Sequence, residues 1–382
     1  MKFFHLSDLH IGLRLVNRDL SEDQRHILEQ IVELARREQP DAVVVAGDIY
    51  DKPVPPAEAV ALFDGFITHL AEAAPACEIM LISGNHDSAA RLNLFRQVLS
   101  RQRVHMIGLP PQSPEEHIAR VTLRDAWGPV NFLLLPFVKP SMVKPITGTD
   151  ENGNNLSYDA ALRRLLAREQ IDHAQRNVLV SHQFYVPAGA DAGQIAREDS
   201  EIVTVGNVDQ VSAEVLSPFD YAALGHLHRP MTVGDETRRY CGTPLACSVS
   251  EAGQRKGVVC VALGPKGDVR TEVLPLEPLR QVRLIRGALE EVLQQACGDY
   301  VTVCLTDDVD LDVIDMRDRL NAAFPHLLEI RREALRGADY GAQVTVEAEL
   351  NPYELCSAFL GDLDEGEQAL LTDVINAARE VH

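Results

Sequence analysis

No apolar run in this chain of 382 residues approaches the roughly 20 needed to cross a bilayer, so a membrane-spanning helix is not expected. The opening "MKFFHLSDLH" sets acid and histidine where a signal peptide carries its apolar stretch, and a cytoplasmic location is the expectation. Paired thiolates are missing as well. The seven cysteines (77, 241, 247, 260, 297, 304 and 356) are odd in number, scattered and without a C-x-x-C pair, which argues against a disulfide frame or a thiolate zinc knot and for reduced core thiols. Basic charge is also short: 36 Lys and Arg stand against 57 Asp and Glu, a net of −21. That balance opposes passive binding to a polyanion, whose non-specific affinity comes from phosphate neutralisation. If the chain works on DNA, a bound metal or a partner subunit must help to hold it.

What is present is a regular alternation. Residues 2–6, 42–47 and 78–83 read as apolar strands. Between them, Ser21 and Gln24 suggest a capping box for a helix carrying Ile27, Leu28, Ile31 and Leu34, and Pro55 and Pro56 open another. A further helix is expected over Leu92, Leu94, Phe95, Val98 and Leu99. This rhythm implies a parallel sheet, whose functional loops lie at the carboxyl ends of the strands. Residues 130–137, 177–182 and 221–226 read as more strands, and 230–275 as antiparallel strands extending the sheet system. Residues 280–335 suggest a separate small β-α-β-α-β unit, and 351–382 two helices, one begun by Asn351, Pro352 and Glu354 and one by Asp364 and Glu367. The apolar face of these last helices either packs on the chain's own core or docks a partner. Residues 56–74 and 90–100 are apolar enough either for burial against the sheet or for a self-association face.

Five polar clusters stand at five strand ends: "SDLH" (7–10), "GDIYD" (47–51), "GNHD" (84–87), "SHQ" (181–183) and "GHLH" (225–228). A lone histidine after a strand is usually a surface or hydrogen-bonded group, but five such clusters are not explained by packing. Asp8, His10, Asp48, Asn85, His182, His226 and His228 offer oxygen and imidazole nitrogen without thiolate, which suits Mn²⁺, Fe²⁺ or catalytic Zn²⁺ better than Mg²⁺. Seven ligands exceed the needs of one catalytic ion. Two ions about 3.5–4 Å apart would use them all and clamp a phosphorus centre for in-line attack.

The ordered set D-x-H, G-D-x-x-D, G-N-H-D, H and G-H-x-H resembles the calcineurin-like metallophosphoesterases. "HLSDLHIG", "VAGDIYDKPVPP", "SGNHDS", "FDYAALGHLHRP" and "RYCGTPL…SVSE", with a small cap and an acidic helical tail, look like the SbcCD-type nuclease subunits of bacteria. The resemblance implies an α/β fold: a metallophosphoesterase β-sandwich flanked by helices over 1–279, an α/β cap at 280–335, a linker at 336–350 and a helical tail at 351–382. It makes Asp8, His10 and His228 ligands of one ion, Asn85, His182 and His226 ligands of the other, and Asp48 the bridge, with Mn²⁺ the expected metal. His86 would act on the scissile phosphate, and Asp87 would hold its ring by a hydrogen bond. Tyr50 and Asp51 would support the site from behind.

The implied activity is a two-metal DNA exonuclease and endonuclease of repair, recombination and replication, acting on double-strand ends and hairpins. Its expected partners are DNA, an SbcC-like ATPase and a second copy within a heterotetramer. Two alternatives stand beside it: a small-substrate phosphodiesterase of the cyclic-nucleotide type, which shares the five clusters but which the cap and tail disfavour, and a non-catalytic scaffold, which the presence of all seven donors and His86 disfavours. Leu9 stands where such chains often carry Trp, which removes no donor, and "GDIYDKP" lacks the Arg-Gly of the Ser/Thr protein phosphatases. The remaining histidines match no motif and read as surface or core residues.

Overall fold

The computed structural model describes residues 1–187, 189, 195, 197–201, 209–307, 313–333, 352–361 and 363–379. Its centre is a pair of six-stranded sheets. The first runs, edge to edge, Val269–Pro275, Gly257–Leu263, Lys2–Leu6, Ala42–Ala46, Glu78–Ile82 and Val104–Ile107. The last four are mutually parallel, as the β-α-β rhythm requires, while Gly257–Leu263 is antiparallel to both of its neighbours. The second runs Met231–Val233, Asp235–Tyr240, Tyr221–Gly225, Arg176–His182, Gly128–Leu135 and Ala119–Asp125.

Period-two alternation divides the side chains between layers. Phe3, Val44 and Met80 of the first sheet meet Phe132, Val178, Val180 and Tyr221 of the second in a common core. The intervening Phe4, Leu6, Val43 and Val45 face outward, under helices Ser21–Glu38 and Ala57–Ala73. Leu133, Leu135, Leu179 and Leu224 do the same for Pro140–Thr147 and Tyr158–Ala167. Strands covered on both faces read as unbroken apolar runs, and "AVVVA" at 42–46 is wholly buried.

Three local expectations are corrected. Ser21 and Gln24 form no capping box: the Ser21 hydroxyl donates to Asp19, and the Gln24 amide bonds His10 O and Gly12 N at 2.7 and 3.0 Å. Helix 21–38 thereby braces the D-x-H loop. Residues 90–100 are two single turns, Ala89–Leu92 and Arg96–Leu99, broken where Phe95 takes φ +57°. Between 230 and 275 the pairing is mixed, because Asp235–Tyr240 lies parallel to Tyr221–Gly225, and 241–251 is irregular chain ending in a short turn at Val249–Glu251.

Further along, Val282–Gly287, Tyr300–Leu305 and His326–Arg332 form a three-stranded parallel sheet with its own apolar cluster around Val301, Val303, Leu320 and Phe324. Arg280 and the Tyr300 hydroxyl, both 2.8 Å from Asp23, tie this unit to helix 21–38. The expected linker at 336–350 lies outside the described residues. Helices Pro352–Leu360 and Glu365–Arg379 follow, with Phe359, Leu360, Leu370 and Val374 exposed. Cys77, Cys241, Cys247 and Cys260 are buried free thiols. No helix among the described residues is long and apolar enough to cross a membrane.

Candidate metal centre

The carboxyl ends of five strands, three from one sheet and two from the other, converge on one point. Strand Lys2–Leu6 delivers Asp8 and His10, Ala42–Ala46 delivers Asp48, and Glu78–Ile82 delivers Asn85, His86 and Asp87. Arg176–His182 ends on His182, and Tyr221–Gly225 leads into His226 and His228. Asp48 Oδ2 lies 3.3 Å from His182 Nε2 and 3.7 Å from His10 Nε2. His10 Nε2 and His228 Nε2 are 3.0 Å apart, and Asn85 Oδ1 lies 2.9 Å from His182 Nε2 and 3.0 Å from His226 Nδ1. Asp8 sits beneath, accepting the backbone N–H of His226 at 3.2 Å, and its carboxylate reaches both the His10–His228 group and the Asp48–His182 group. All seven expected donors thus come together, and all but Asn85 are buried.

The backbone is bent to achieve this. Asp8 (φ +53°), His10 (+43°), Asp48 (+49°) and His226 (+106°) occupy the left-handed region, at about 1–3 kcal/mol each. Bonds between the first two loops hold the bend: Asp8 N to Gly47 O at 2.9 Å, His10 N to Asp48 O at 3.0 Å and Ile11 N to Ile49 O at 2.9 Å. Crowding at these strand ends requires glycine on steric grounds. A Cβ on Gly47, itself at φ +92°, would overlap the His182 ring, and one on Gly84 would overlap the Asp48 carboxylate.

Burial and mutual charge pull the groups apart in proton affinity. Burial lifts Asp8 to about 6 against the opposing pull of His182 and His228. Burial lifts Asp48 too, but the charges of His182 and His86 outweigh it and hold that carboxyl well below the usual range. His10 is driven well below 6.5 by burial and by His228, and His226 by burial and Arg197. In His182 burial is overridden by Asp48, and the ring rises to about 9. His10 Nε2 confronts a second imidazole nitrogen, and His10 Nδ1 is buried without a hydrogen-bond partner. Buried lone pairs facing one another, with two carboxylates and an amide oxygen, are what a divalent cation satisfies, and the oxygen and nitrogen donor set fits one.

The expected role of Asp87 is corrected. Its carboxylate does not touch the His86 ring; it accepts the backbone N–H groups of Ile49, Tyr50 and Gly84 at 3.0, 2.9 and 2.9 Å, stapling two loops together. The His86 ring is held instead by Nδ1 to Asp51 O at 3.0 Å. Several supporting residues escaped sequence reasoning. Segment 197–201 grips the G-H-L-H-R turn: Arg197 reaches His226 Nε2 at 3.1 Å, Ser200 Oγ lies 2.7 Å from His228 Nδ1, Glu201 accepts the His228 N–H at 2.8 Å, and Glu198 holds Arg229 at 2.9 Å. Glu251 had a signal, the final residue of "SVSE", but no role. Of the unassigned histidines, His5 is a core group between Tyr221 Oη and Leu224 O, and its buried ring is pushed down to about 3.

Residues 1–230 match the calcineurin-like phosphoesterase family, and residues 276–362 match the family described as the type 5 capsule protein repressor C-terminal domain, the SbcD C-terminal family. The chain belongs to the calcineurin-like phosphoesterases, and it is a metal-dependent phosphodiester hydrolase of nuclease type. It is 30% identical over 302 residues to SbcD, the D component of the nuclease SbcCD, from Staphylococcus saprophyticus, a match covering 77% of this chain and 74% of that protein. Among solved structures, the TT1561 protein of Thermus thermophilus is 13% identical, with 71% of this chain and 98% of that one covered at a TM-score of 0.41. A dimetal phosphatase from Danio rerio is 15% identical, with 72% and 98% covered at a TM-score of 0.40.

Proposed function

We propose that the chain is a two-metal DNA nuclease, the nuclease subunit of an SbcCD-type complex that acts on double-strand ends and hairpins in repair, recombination and replication. The observation that carries this reading is the position of Asp48 Oδ2 between His10 and His182, one oxygen shared by two groups of donors. Asp8, His10 and His228 would hold one ion and Asn85, His182 and His226 the other, with Asp48 shared between the two groups and Mn²⁺ the metal expected there. When bound, the two ions neutralise the phosphodiester's charge and activate the attacking water. His86 does the rest. Its Nδ1–H is spent on Asp51 O, so Nε2 is the nitrogen that meets the scissile group, to donate a proton to the leaving oxygen or to stabilise the charge of the transition state.

The acidic balance of the chain favours a division of labour, in which an SbcC-like ATPase in the cytoplasm supplies the grip on DNA. The exposed apolar residues of 352–379 form the docking segment for that ATPase. Leu94, Phe95 and Val98, 58%, 68% and 61% exposed, form the face on which a second copy pairs. The boundaries at 279, 335 and 350 divide nuclease domain, cap, linker and tail.

The test is cleavage of linear and hairpin DNA in Mn²⁺, with and without the co-expressed ATPase, by the wild type and by His86→Ala. Retained metal with lost cleavage in His86→Ala, and ATP-dependent cleavage of ends only in the complex, are expected. Full activity of the variant would remove His86 from the chemistry, and hydrolysis confined to small cyclic diesters would overturn the DNA reading.

A further inference from the structure

His228 is held from behind by a buried ion pair that the assigned metal ligands do not include. Its Nε2 faces His10, while Nδ1 meets Ser200 Oγ at 2.7 Å and lies 3.7 Å from Glu251 Oε1. Glu251 is 1% exposed and every direction around its carboxylate is taken. Oε1 accepts from Cys247 N at 3.0 Å, Ser248 Oγ at 3.1 Å and Ser200 Oγ at 3.2 Å; Oε2 accepts from Lys256 Nζ at 2.6 Å and Thr243 Oγ1 at 2.7 Å. Lys256, 7% exposed, also donates to His228 O at 3.3 Å. The pair therefore touches His228 through its backbone and, by way of Ser200, through its ring.

His228, Cys247 and Glu251 lie close enough together to suggest a further metal site. The Lys256 ammonium already neutralises that carboxylate, and burial drives the Cys247 thiol upward, so no thiolate is on offer. A buried ion pair is a weak device for stability, since apolar replacements are often as good. Its placement against a candidate ligand suggests a different use.

We propose that Glu251, fixed by Lys256 and acting through Ser200, is a positioning residue for His228. The chain of donors runs one way: His228 Nδ1–H to Ser200 Oγ, and Ser200 O–H to Glu251 Oε1. This keeps the ring's proton on Nδ1, locks its orientation and turns the Nε2 lone pair toward the space shared with His10 and Asp8. The inference rests on the dinuclear reading above and adds to it the group that sets one ligand's tautomer.

The experiment is Mn²⁺ titration of the full chain by calorimetry and by electron paramagnetic resonance, which separates a coupled pair of ions from a single one. The variants are Glu251→Gln/Lys256→Met, which removes both buried charges, and Ser200→Ala, which cuts the relay with little change in volume. In both, one ion is expected to bind about 10–100-fold more weakly while the other keeps its affinity, so that the coupled signal gives way to a single-ion signal. Metal-free unfolding of the double variant should stay near the wild type. Wild-type binding of both ions by Ser200→Ala, or by a double variant that folds normally, would overturn the inference alone. A wild type that takes up no Mn²⁺ would overturn the dinuclear reading and this inference with it.

Discussion

Asp48 Oδ1 accepts the backbone N–H of His86 at 2.9 Å, so the carboxylate shared by the two donor groups also anchors the loop that carries His86. Its two oxygens have separate tasks, and substitutions separate them. Asp48→Asn can keep an oxygen on His86 N while placing an amide N–H₂ between His10 and His182. Metal uptake, read by elemental analysis, should fall by more than the about 10–100-fold typical of an outer partner, with metal-free stability little changed. Asp48→Ala should lose metal and loosen the loop together. A metal-replete Asp48→Asn would remove Asp48 from the centre.

Asp87 should behave as a structural staple. Asp87→Ala strands three backbone donors, those of Ile49, Tyr50 and Gly84, in a buried corner. At about 1–3 kcal/mol for each unsatisfied buried group, urea unfolding of the metal-free chain should reveal a loss of at least about 3 kcal/mol. His86→Ala, at a half-buried position, should cost far less. Comparable stabilities for the two variants would contradict the staple.

The strand ends and the convergence of the seven polar side chains beyond them were legible because parallel strands advertise themselves as short apolar runs, and each here stops at glycine or serine before its polar group. Three elements show where that legibility stops. Apolar spacing at 92–99 fits a helix, yet Phe95 in the left-handed region breaks it and leaves Leu94 and Val98 in solvent. "RRYCGTPLACSVSE" alternates like a strand, but Gly242 at φ +74° turns the chain against His228 O and Pro230, where a side chain would not fit. The contacts of Gln24, Ser200, Glu201 and Glu251 join residues up to 51 positions apart through single hydrogen bonds, which leave no periodic trace.

Acid sensitivity should be traceable to His5. Burial holds its folded pKa near 3, far below the 6.5 of the open chain, so the unfolded state binds a proton that the native state refuses. The stabilising contribution is complete above pH 6.5 and is lost as pH falls from there toward 3, at about 1.4 kcal/mol per pH unit. His5→Gln can bond Tyr221 and Leu224 without titrating. Metal-free unfolding between pH 7 and 4 should show a shallower decline for this variant, and parallel profiles would refute the assignment.

Self-association should depend on Phe95. Its side chain is 68% exposed beside Leu94 and Val98, and a charge there makes burial against a second copy unfavourable. Phe95→Glu should convert a dimer to a monomer in light scattering while hydrolysis of a small diester is unchanged. A variant that stays dimeric would place the pairing face elsewhere.

The tail should be separable from the chemistry. Phe359, 89% exposed, and Leu360, Leu370 and Val374, each more than half exposed, belong to none of the apolar clusters that stabilise the sheets. Removing residues 351–382 therefore takes away solvent-facing apolar surface and leaves the metal-binding loops and their sheets intact. Mn²⁺-dependent hydrolysis of a chromogenic diester and the thermal midpoint should both persist, while co-purification with the ATPase is lost. A truncated chain that still bound the ATPase would move the docking surface off these helices, and one that failed to fold would show that their apolar face is part of the chain's own core.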